Sequence, residues 1–261
     1  MQFIIFSAIA GLAGMGIGGF ISALLLKKPS ANIMCWMLSF AAGIMTGIVC
    51  FSLIPEAIHI SGIWIVIVGL IVGIVVILLL NRFIDRIATE RDQSDLTVHH
   101  TAAELYHSQP IIENREKLLR SGIIMFAVIA FHNFPEGIAI GVSGSHDFYL
   151  GASLALIIFF HNLPEGMAIA APMVAGGMNR WKAVLITSLT GLPTLIGGIL
   201  GVILGSISAI ATSLSLAIAG GAMLYVVFGE IIPQTIVLTK NRIATIITLS
   251  GLIVGLLLTM L

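Results

Sequence analysis

Charged residues are scarce in this chain of 261 residues, where Asp, Glu, Lys and Arg together make up 9% of the sequence. A soluble domain carries about 25% charged residues, so the composition excludes a soluble globular fold. The formal net charge is zero. Charge therefore gives no indication of a nucleic-acid partner, and we expect none.

Cysteine is also scarce, and its two occurrences exclude a cysteine-rich metal site. Cys35 and Cys50 lie in an apolar segment without the spacing of metal ligands, so we interpret both as inert buried thiols. The first 26 residues lack a basic start and a clear cleavage site. We interpret them as a membrane span and not as a signal peptide.

Long apolar runs are what the chain has in abundance. Hydrophobic residues make up 58% of the sequence, and the mean hydropathy is +1.12. Runs of about 20 apolar residues indicate transmembrane helices, and these runs lack the alternating polarity of barrel strands. The predicted fold class is therefore all-α, a polytopic membrane protein with eight transmembrane helices. Spans one to eight are expected at residues 3–26, 34–58, 62–81, 121–143, 149–175, 182–205, 209–236 and 243–261.

The basic residues all fall on one side of this eight-span arrangement. The 12 Lys and Arg residues follow span one or lie between spans three and four, five and six, or seven and eight. The alternate loops, residues 59–61, 144–148 and 206–208, contain none. Because basic loops stay in the cytoplasm, this distribution predicts that both termini lie outside.

The whole chain, residues 1–261, is expected to form a single transmembrane domain, because most connections between spans are short. The exception is residues 82–120, a charged and polar segment that the basic residues place in the cytoplasm. His99, His100 and His107 lie in this loop. A His-rich loop can bind metal, and the sequence leaves open whether these three do so or are ordinary solvated side chains.

Small residues recur at helical spacing in several spans. This spacing lets helix backbones approach closely, either as ordinary packing or as a moving or dimeric interface. The repeats are Gly14 and Gly18, Gly69 and Gly73, and Gly197, Gly201 and Gly205.

The ionisable residues inside the spans are concentrated in a motif that occurs twice. Span four contains FHNFPEGIAI at residues 131–140, and span five contains FHNLPEGMAI at residues 160–169. Ionisable groups at bilayer depth are costly and usually serve a function. Two copies of the same polar pattern therefore favour a functional site over a network that only holds helices together.

The spacing within each motif groups its polar side chains. His132 and Glu136 lie four residues apart and share one helix face, while Asn133 lies on the other flank of Glu136. Pro135 removes a backbone hydrogen bond and is expected to bend the helix. The second copy repeats this arrangement with His161, Asn162, Pro164 and Glu165.

Two such helices, antiparallel and side by side, bring two imidazoles and two carboxylates together. This donor set suits zinc and other first-row divalent ions. Asparagine and the shared carboxylates would form an adjoining position. Two carboxylates in a low-dielectric region repel each other unless a cation or protons intervene. The sequence therefore predicts a divalent-metal site between spans four and five.

The segments HNFPEG and HNLPEG, in the fourth and fifth of eight spans, resemble the ZIP family of divalent metal transporters, as does the basic loop after span three. The resemblance covers the whole chain, and the short length is similar to bacterial members, which places the protein in the cell (inner) membrane. It implies uptake of zinc, or of cadmium, iron, manganese, cobalt or nickel, toward the cytoplasm. It also implies a two-metal centre, a homodimer, and elevator-like movement of one helix bundle against another, with metal as substrate and no catalytic cofactor.

Carried over residue by residue, the resemblance assigns His132, Glu136 and Glu165 to a primary metal site. His161 matches a position that can contribute a further ligand there. Met45 in span two matches a position that supplies a thioether in some members. Packing is the alternative for Met45, because a thioether is a soft ligand better suited to Cu(I) than to zinc.

The resemblance assigns Asn133 and Asn162 to a secondary site, with Glu136 and Glu165 bridging the two sites. Here the sequence departs from the family pattern. Many relatives carry a glutamate in span six where this chain has Thr194. The secondary site has therefore lost an anionic ligand, which leaves open whether one or two metals bind.

Other polar residues give weaker signals. Glu230, in the FGEIIPQ segment of span seven, either lines the path or a lower metal site, or has a structural hydrogen-bonding role. Glu56, His59, His146 and Asp147 lie at the predicted outer side. They either collect cations there or are solvated loop residues.

A competing function is an intramembrane metal-dependent hydrolase or protease. Such an enzyme also needs His and carboxylate ligands, with an activated water and a general base. The chain has no HExxH motif, and two near-identical helices suit a path through the membrane better than a one-sided active site. We therefore predict a transporter and not an enzyme.

Overall fold

The computed structural model describes residues 2–26, 31–89, 115–146, 148–204, 209–238 and 242–260, and every secondary-structure element in these ranges is helical. Within these described ranges, seven helices are long and apolar enough to cross a membrane. They are Gln2–Leu25, Ala31–Ser61, Ile63–Arg82, Leu118–Ser145, Phe148–Ala175, Arg180–Ile203 and Ala209–Ile236. We call them spans one to seven.

Span eight is the shorter apolar helix Ile243–Leu258, of 16 residues. At 1.5 Å per residue it is about 24 Å long, less than the roughly 30 Å of a hydrocarbon core. The prediction of an all-α polytopic membrane protein is confirmed. The predicted count of eight is met only when this shorter helix is included.

Helices continue into both ends of the expected loop at residues 82–120. The helix of span three runs Ile63–Thr89, and the helix of span four runs Arg115–His146. Residues 90–114, with His99, His100 and His107, lie outside the described residues.

Four spans are not single α-helices. Spans one, two and seven contain π-helical turns at Ile9–Ala13, Val49–Leu53 and Val226–Ile231. In span six, helix Arg180–Leu189 ends at a turn before helix Leu192–Leu204 begins. Gly191 lies in that turn. Pro193, in the first turn of the second helix, has no backbone N–H with which the first helix could continue.

The motif prolines do not end their helices. Pro135 and Pro164 lie inside the continuous helices Arg115–His146 and Phe148–Ala175. The interruptions lie in spans one, two, six and seven, so the polar residues of the motif are carried by two continuous helices.

Helix packing divides the spans into two groups. Spans one, four, five and six pack against one another, and spans two, three, seven and eight do the same. The groups meet mainly where span two packs against span five and span seven packs against span four. We call these the motif group and the outer group, because only the first contains the repeated motif.

Glycines make the closest backbone approaches within each group. A Cβ on Gly43 would collide with Thr248 O of span eight, and a Cβ on Gly137 would collide with Thr194 O of span six. In the described part of the chain, each close glycine contact between spans joins two spans of the same group. The predicted repeats follow this rule at Gly14, Gly18, Gly69, Gly73, Gly197 and Gly201, while Gly205 lies outside the described residues.

Side chains, by contrast, fill the boundary between the two groups. One apolar core cluster contains buried methionines from both sides of it. They include Met34, Met37 and Met45 of span two, Met125 of span four and Met173 of span five.

The prediction of two buried thiols holds for one cysteine only. Cys35 is buried, and its thiol lies 3.6 Å from Thr235 O. Cys50 is exposed, so the prediction is wrong for that residue. An apolar run shows that a segment enters the membrane but does not show which of its faces packs against other spans. Cys50 lies on a face of span two that does not pack against other spans.

Candidate metal centre

Spans four and five bring the two copies of the motif face to face. His132 Nε2 lies 2.9 Å from Glu165 Oε1, and His161 Nε2 lies 3.2 Å from Glu136 Oε1. Each histidine therefore meets the glutamate of the other span. This reciprocal pairing follows from the antiparallel arrangement, because the order of His and Glu is reversed on the facing helix.

Glu165 lies at the centre of this group. Its Oε1 atom is 2.8 Å from His161 Nε2 on the same helix, in addition to its contact with His132. One ligand atom from each of His132, Glu136, His161 and Glu165 lies within 4.8 Å of the others. We call these four residues the His–Glu cluster.

The His–Glu cluster is closed off from the outside and only partly satisfied by hydrogen bonds. None of its four residues is more than 1% exposed. Both carboxylate oxygens of Glu136, Oε2 of Glu165 and Nε2 of His161 have no hydrogen-bond partner with suitable geometry. Buried polar atoms are normally paired, and two close carboxylates repel each other. Both features fit a group that holds a cation.

The two motif asparagines point their amide nitrogens at backbone carbonyls of other spans. Asn133 Nδ2 donates to Thr190 O of span six, and Asn162 Nδ2 donates to Ala10 O of span one, each at 2.8 Å. Both Oδ1 atoms are buried and have no hydrogen-bond partner. Each asparagine thus keeps an unpartnered amide oxygen, the kind of atom with which an asparagine side chain can bind a metal ion.

Thr194, which the sequence comparison with the ZIP pattern singled out, lies against the motif helix of span four. It is completely buried, and its Oγ1 has no hydrogen-bond partner. Its backbone leaves no room for a Cβ on Gly137, the residue that follows Glu136. That Thr194 takes the place of a carboxylate ligand stays a prediction.

Comparison with known proteins assigns the chain to a family. A family model described as ZIP zinc transporter matches residues 1–261. The chain belongs to the ZIP zinc transporter family. It is therefore a multi-pass membrane protein that transports divalent metal and is not an enzyme, which decides against the hydrolase or protease alternative.

Individual members of the ZIP family are similar along most of the chain. The zinc transporter ZupT of Escherichia fergusonii is 36% identical over 233 residues, which is 88% of this chain and 85% of that protein. ZupT of Escherichia coli O7:K1 is 35% identical over 233 residues, and ZupT of Salmonella newport is 34% identical over 238 residues.

Two further candidates come from the ZIP resemblance and from the sequence. Met45 is fully buried in the apolar cluster that also contains Ala168 and Ile169 of span five. Its role as a thioether ligand stays a prediction. Glu230 is half-buried in the π-helical turn of span seven, and its Oε1 accepts a hydrogen bond from Asn81 Nδ2 at 2.7 Å. This bond supports the structural interpretation of Glu230, while a path-lining role stays a prediction.

The residues expected at the outer side are not brought together by what the structure describes. Glu56 is half-buried and His59 is exposed, both on helix Ile54–Ser61. His146 ends the helix of span four, and Asp147 lies outside the described residues. A cation-collecting role for this set stays a prediction.

Sequence reasoning missed the two backbone carbonyls that hold the asparagines. The TGLP segment at residues 190–193 carries the Gly and Pro signals of a helix interruption, so the turn beside Thr190 could have been found. The π-helical turn around Ala10 is coded by IAGLA, an apolar segment with one glycine, Gly11, and no proline, which is a weaker signal.

Proposed function

We propose that this ZIP family member carries Zn²⁺ across the cell (inner) membrane toward the cytoplasm, by binding it at the His–Glu cluster. The observation that carries this proposal is the convergence of four buried ligand atoms within 4.8 Å. The similar proteins are named zinc transporters, which supports zinc as the substrate. Two imidazole nitrogens and two carboxylates replace the water shell of the ion. The negative charge of the carboxylates offsets the hydration that the ion loses on entering this buried site.

Ion uptake into proteoliposomes of known orientation tests substrate and direction together. Vesicles should accumulate Zn²⁺ on the side that corresponds to the cytoplasm, without any added organic substrate. Parallel assays with Cd²⁺, Fe²⁺, Mn²⁺, Co²⁺ and Ni²⁺ rank the ions, because ligand type alone narrows the set without ordering it. If another ion is taken up faster, that ion and not zinc is the preferred substrate.

We also propose a second, weaker cation position formed by Asn133, Asn162 and the bridging carboxylates of Glu136 and Glu165. We call it the Asn-flanked position, in contrast to the His–Glu cluster. Asn oxygens and the Thr194 hydroxyl contribute dipoles only, so the position has less negative charge to offset the loss of ion hydration.

The His–Glu cluster should therefore fill before the Asn-flanked position. Anomalous scattering from crystals grown at graded Cd²⁺ concentrations measures the occupancy of each position. We expect the Asn-flanked occupancy to lag by about tenfold or more in concentration, equivalent to about 1.4 kcal/mol. Equal occupancy at the lowest concentration would show that another group replaces the missing charge.

The orientation that we propose has both termini outside and residues 87–118 inside. Aromatic side chains support a bilayer boundary at the span ends: Trp64, Tyr149 and Trp181 are 78%, 82% and 57% exposed, and Trp and Tyr are enriched at membrane interfaces.

Single-cysteine labelling tests this orientation. In a variant without Cys35 and Cys50, a cysteine at Ser145 should react with a membrane-impermeant thiol reagent added outside intact cells. A cysteine at Ser94 should react only after the membrane is opened. Labelling in the reverse pattern would overturn the orientation.

Movement of the motif group against the outer group is the transport step that we propose. The glycine contacts lock spans together within each group, whereas flexible methionine side chains fill the boundary. The family resemblance implies a homodimer as well, which mass measurement of the protein in lipid nanodiscs will test.

A further inference from the structure

We infer that the crossing of spans one and six is a positioning device, which sets the orientation of both motif asparagines at the Asn-flanked position. This inference rests on the proposed role of that position. It concerns backbone groups of two spans that contribute no side chain to the motif.

The π-helical turn of span one makes a carbonyl available. In an α-helix the N–H of Gly14 would donate to Ala10 O, four residues earlier. Here it reaches Ile9 O and Gly11 O, one on each side of Ala10. Ala10 O instead accepts from Asn162 Nδ2 at 2.8 Å. The extra residue in the turn therefore frees the acceptor that Asn162 uses.

The interruption of span six places the second carbonyl. Thr190 follows the end of helix Arg180–Leu189, and its N–H bonds back to Thr187 O and Ser188 O. Its own carbonyl accepts from Asn133 Nδ2 at 2.8 Å. One irregular turn in each span thus serves one asparagine of the motif.

The two irregular turns touch each other. A Cβ on Gly11 would collide with Gly191 O and would lie 2.8 Å from Thr194 Cβ, and a Cβ on Gly191 would collide with the backbone of Gly11. Neither glycine can gain a side chain unless the spans separate. The contact therefore fixes Ala10 O and Thr190 O relative to each other as well as to the motif.

Anchoring the amide nitrogen decides which end of each asparagine is left for a cation. A side-chain amide has a donor end and an acceptor end, and the donor end repels a metal ion. With Nδ2 held by a carbonyl, Oδ1 is the end that remains, and in Asn133 and Asn162 it is buried without a partner. Loss of the anchor would let either amide rotate and present its NH₂ group.

Gly11→Ala tests this device in the full-length protein in nanodiscs. Its added methyl group should push the two turns apart and move both carbonyls away from the asparagines. The side-chain NH₂ signals of Asn133 and Asn162, observed by selective ¹⁵N labelling and assigned with Asn→Ala variants, should shift and exchange faster with D₂O. Cd²⁺ affinity should fall about tenfold or more at the Asn-flanked position and stay within about twofold at the His–Glu cluster.

Gly43→Ala is the matched control. Its Cβ also collides with a backbone oxygen, Thr248 O, but between spans two and eight of the outer group. It should leave both asparagine signals and the ratio of the two Cd²⁺ affinities unchanged. If Gly11→Ala does not fold, Gly16→Ala is the milder version, because its Cβ would meet Ser188 Oγ at 3.1 Å between the same two spans. It should shift the same two signals by less.

Unchanged asparagine signals in the folded variant would overturn the inference, as would equal loss of Cd²⁺ at both positions. The outcome for the proposed function is separate. If the unaltered protein binds no Cd²⁺ at the Asn-flanked position, that part of the proposed function fails and this inference fails with it, whatever the signals show. If binding occurs and only the signals stay fixed, the device alone is wrong.

Discussion

Replacing Glu165 by alanine should reduce metal uptake to the background of empty vesicles while the protein remains in the membrane. Glu165 Oε1 contacts both histidines of the His–Glu cluster, at 2.9 Å and 2.8 Å. Removing it takes away a ligand and a negative charge, and leaves both imidazoles without the carboxylate that they share. We expect metal affinity to fall by more than the roughly 100-fold that loss of an outer hydrogen-bond partner costs in a metal site.

Glu165→Gln is the matched control for this experiment, because it keeps the shape of the side chain and removes the charge. If charge is what offsets ion dehydration, Gln should transport almost as poorly as Ala. Glu136→Ala should behave like Glu165→Ala, and His132→Ala should be milder because it removes a neutral ligand. Normal affinity and flux in both glutamate-to-alanine variants would show that the ion does not bind at this cluster.

Replacing Thr194 by aspartate should convert the Asn-flanked position into a tight site. Thr194 is completely buried with an unpaired hydroxyl beside the motif helix, and aspartate is close to threonine in volume. A third carboxylate should raise the Cd²⁺ affinity of that position by about tenfold to 100-fold, or about 1.4–2.8 kcal/mol. Titration calorimetry should then resolve two tight binding steps where the unaltered chain shows one.

Thr194→Asn separates charge from shape in this position. It offers an oxygen of similar size without a charge, so the second binding step should stay weak. Without metal, Thr194→Asp should also unfold more readily on heating than Thr194→Asn, since three buried carboxylates then repel one another. A Thr194→Asp variant that shows no gain in the second step would mean that Thr194 does not face the Asn-flanked position.

The repeated motif was the part of the structure that sequence could predict best. The four-residue spacing of His132 and Glu136, repeated on a neighbouring span, is enough to predict that two imidazoles and two carboxylates meet. The reciprocal pairing of His132 with Glu165 follows from antiparallel packing. Apolar runs placed the spans because the membrane imposes length and composition on each of them.

The local irregularities could not be predicted in the same way. Pro135 lies inside the continuous helix Arg115–His146, and the bend expected there stays a prediction. The π-helical turn at Ile9–Ala13 contains only apolar and small residues. The group that hydrogen-bonds to its Ala10 carbonyl is Asn162, which is far away in sequence. Cys50 shows the same limit, since membrane composition does not indicate which face of a span is outward.

The confinement of glycine contacts to the interior of each group has a consequence for how such a chain can change over evolutionary time. Residues at the boundary between the groups, such as Met45 and Met173, can exchange with other flexible apolar side chains, because each neighbour can adjust a rotamer. Gly43 and Gly137 have no such freedom, since any replacement meets a main-chain oxygen. Sequence drift should therefore accumulate at the boundary between the groups, while the glycine contacts preserve the shape of each group.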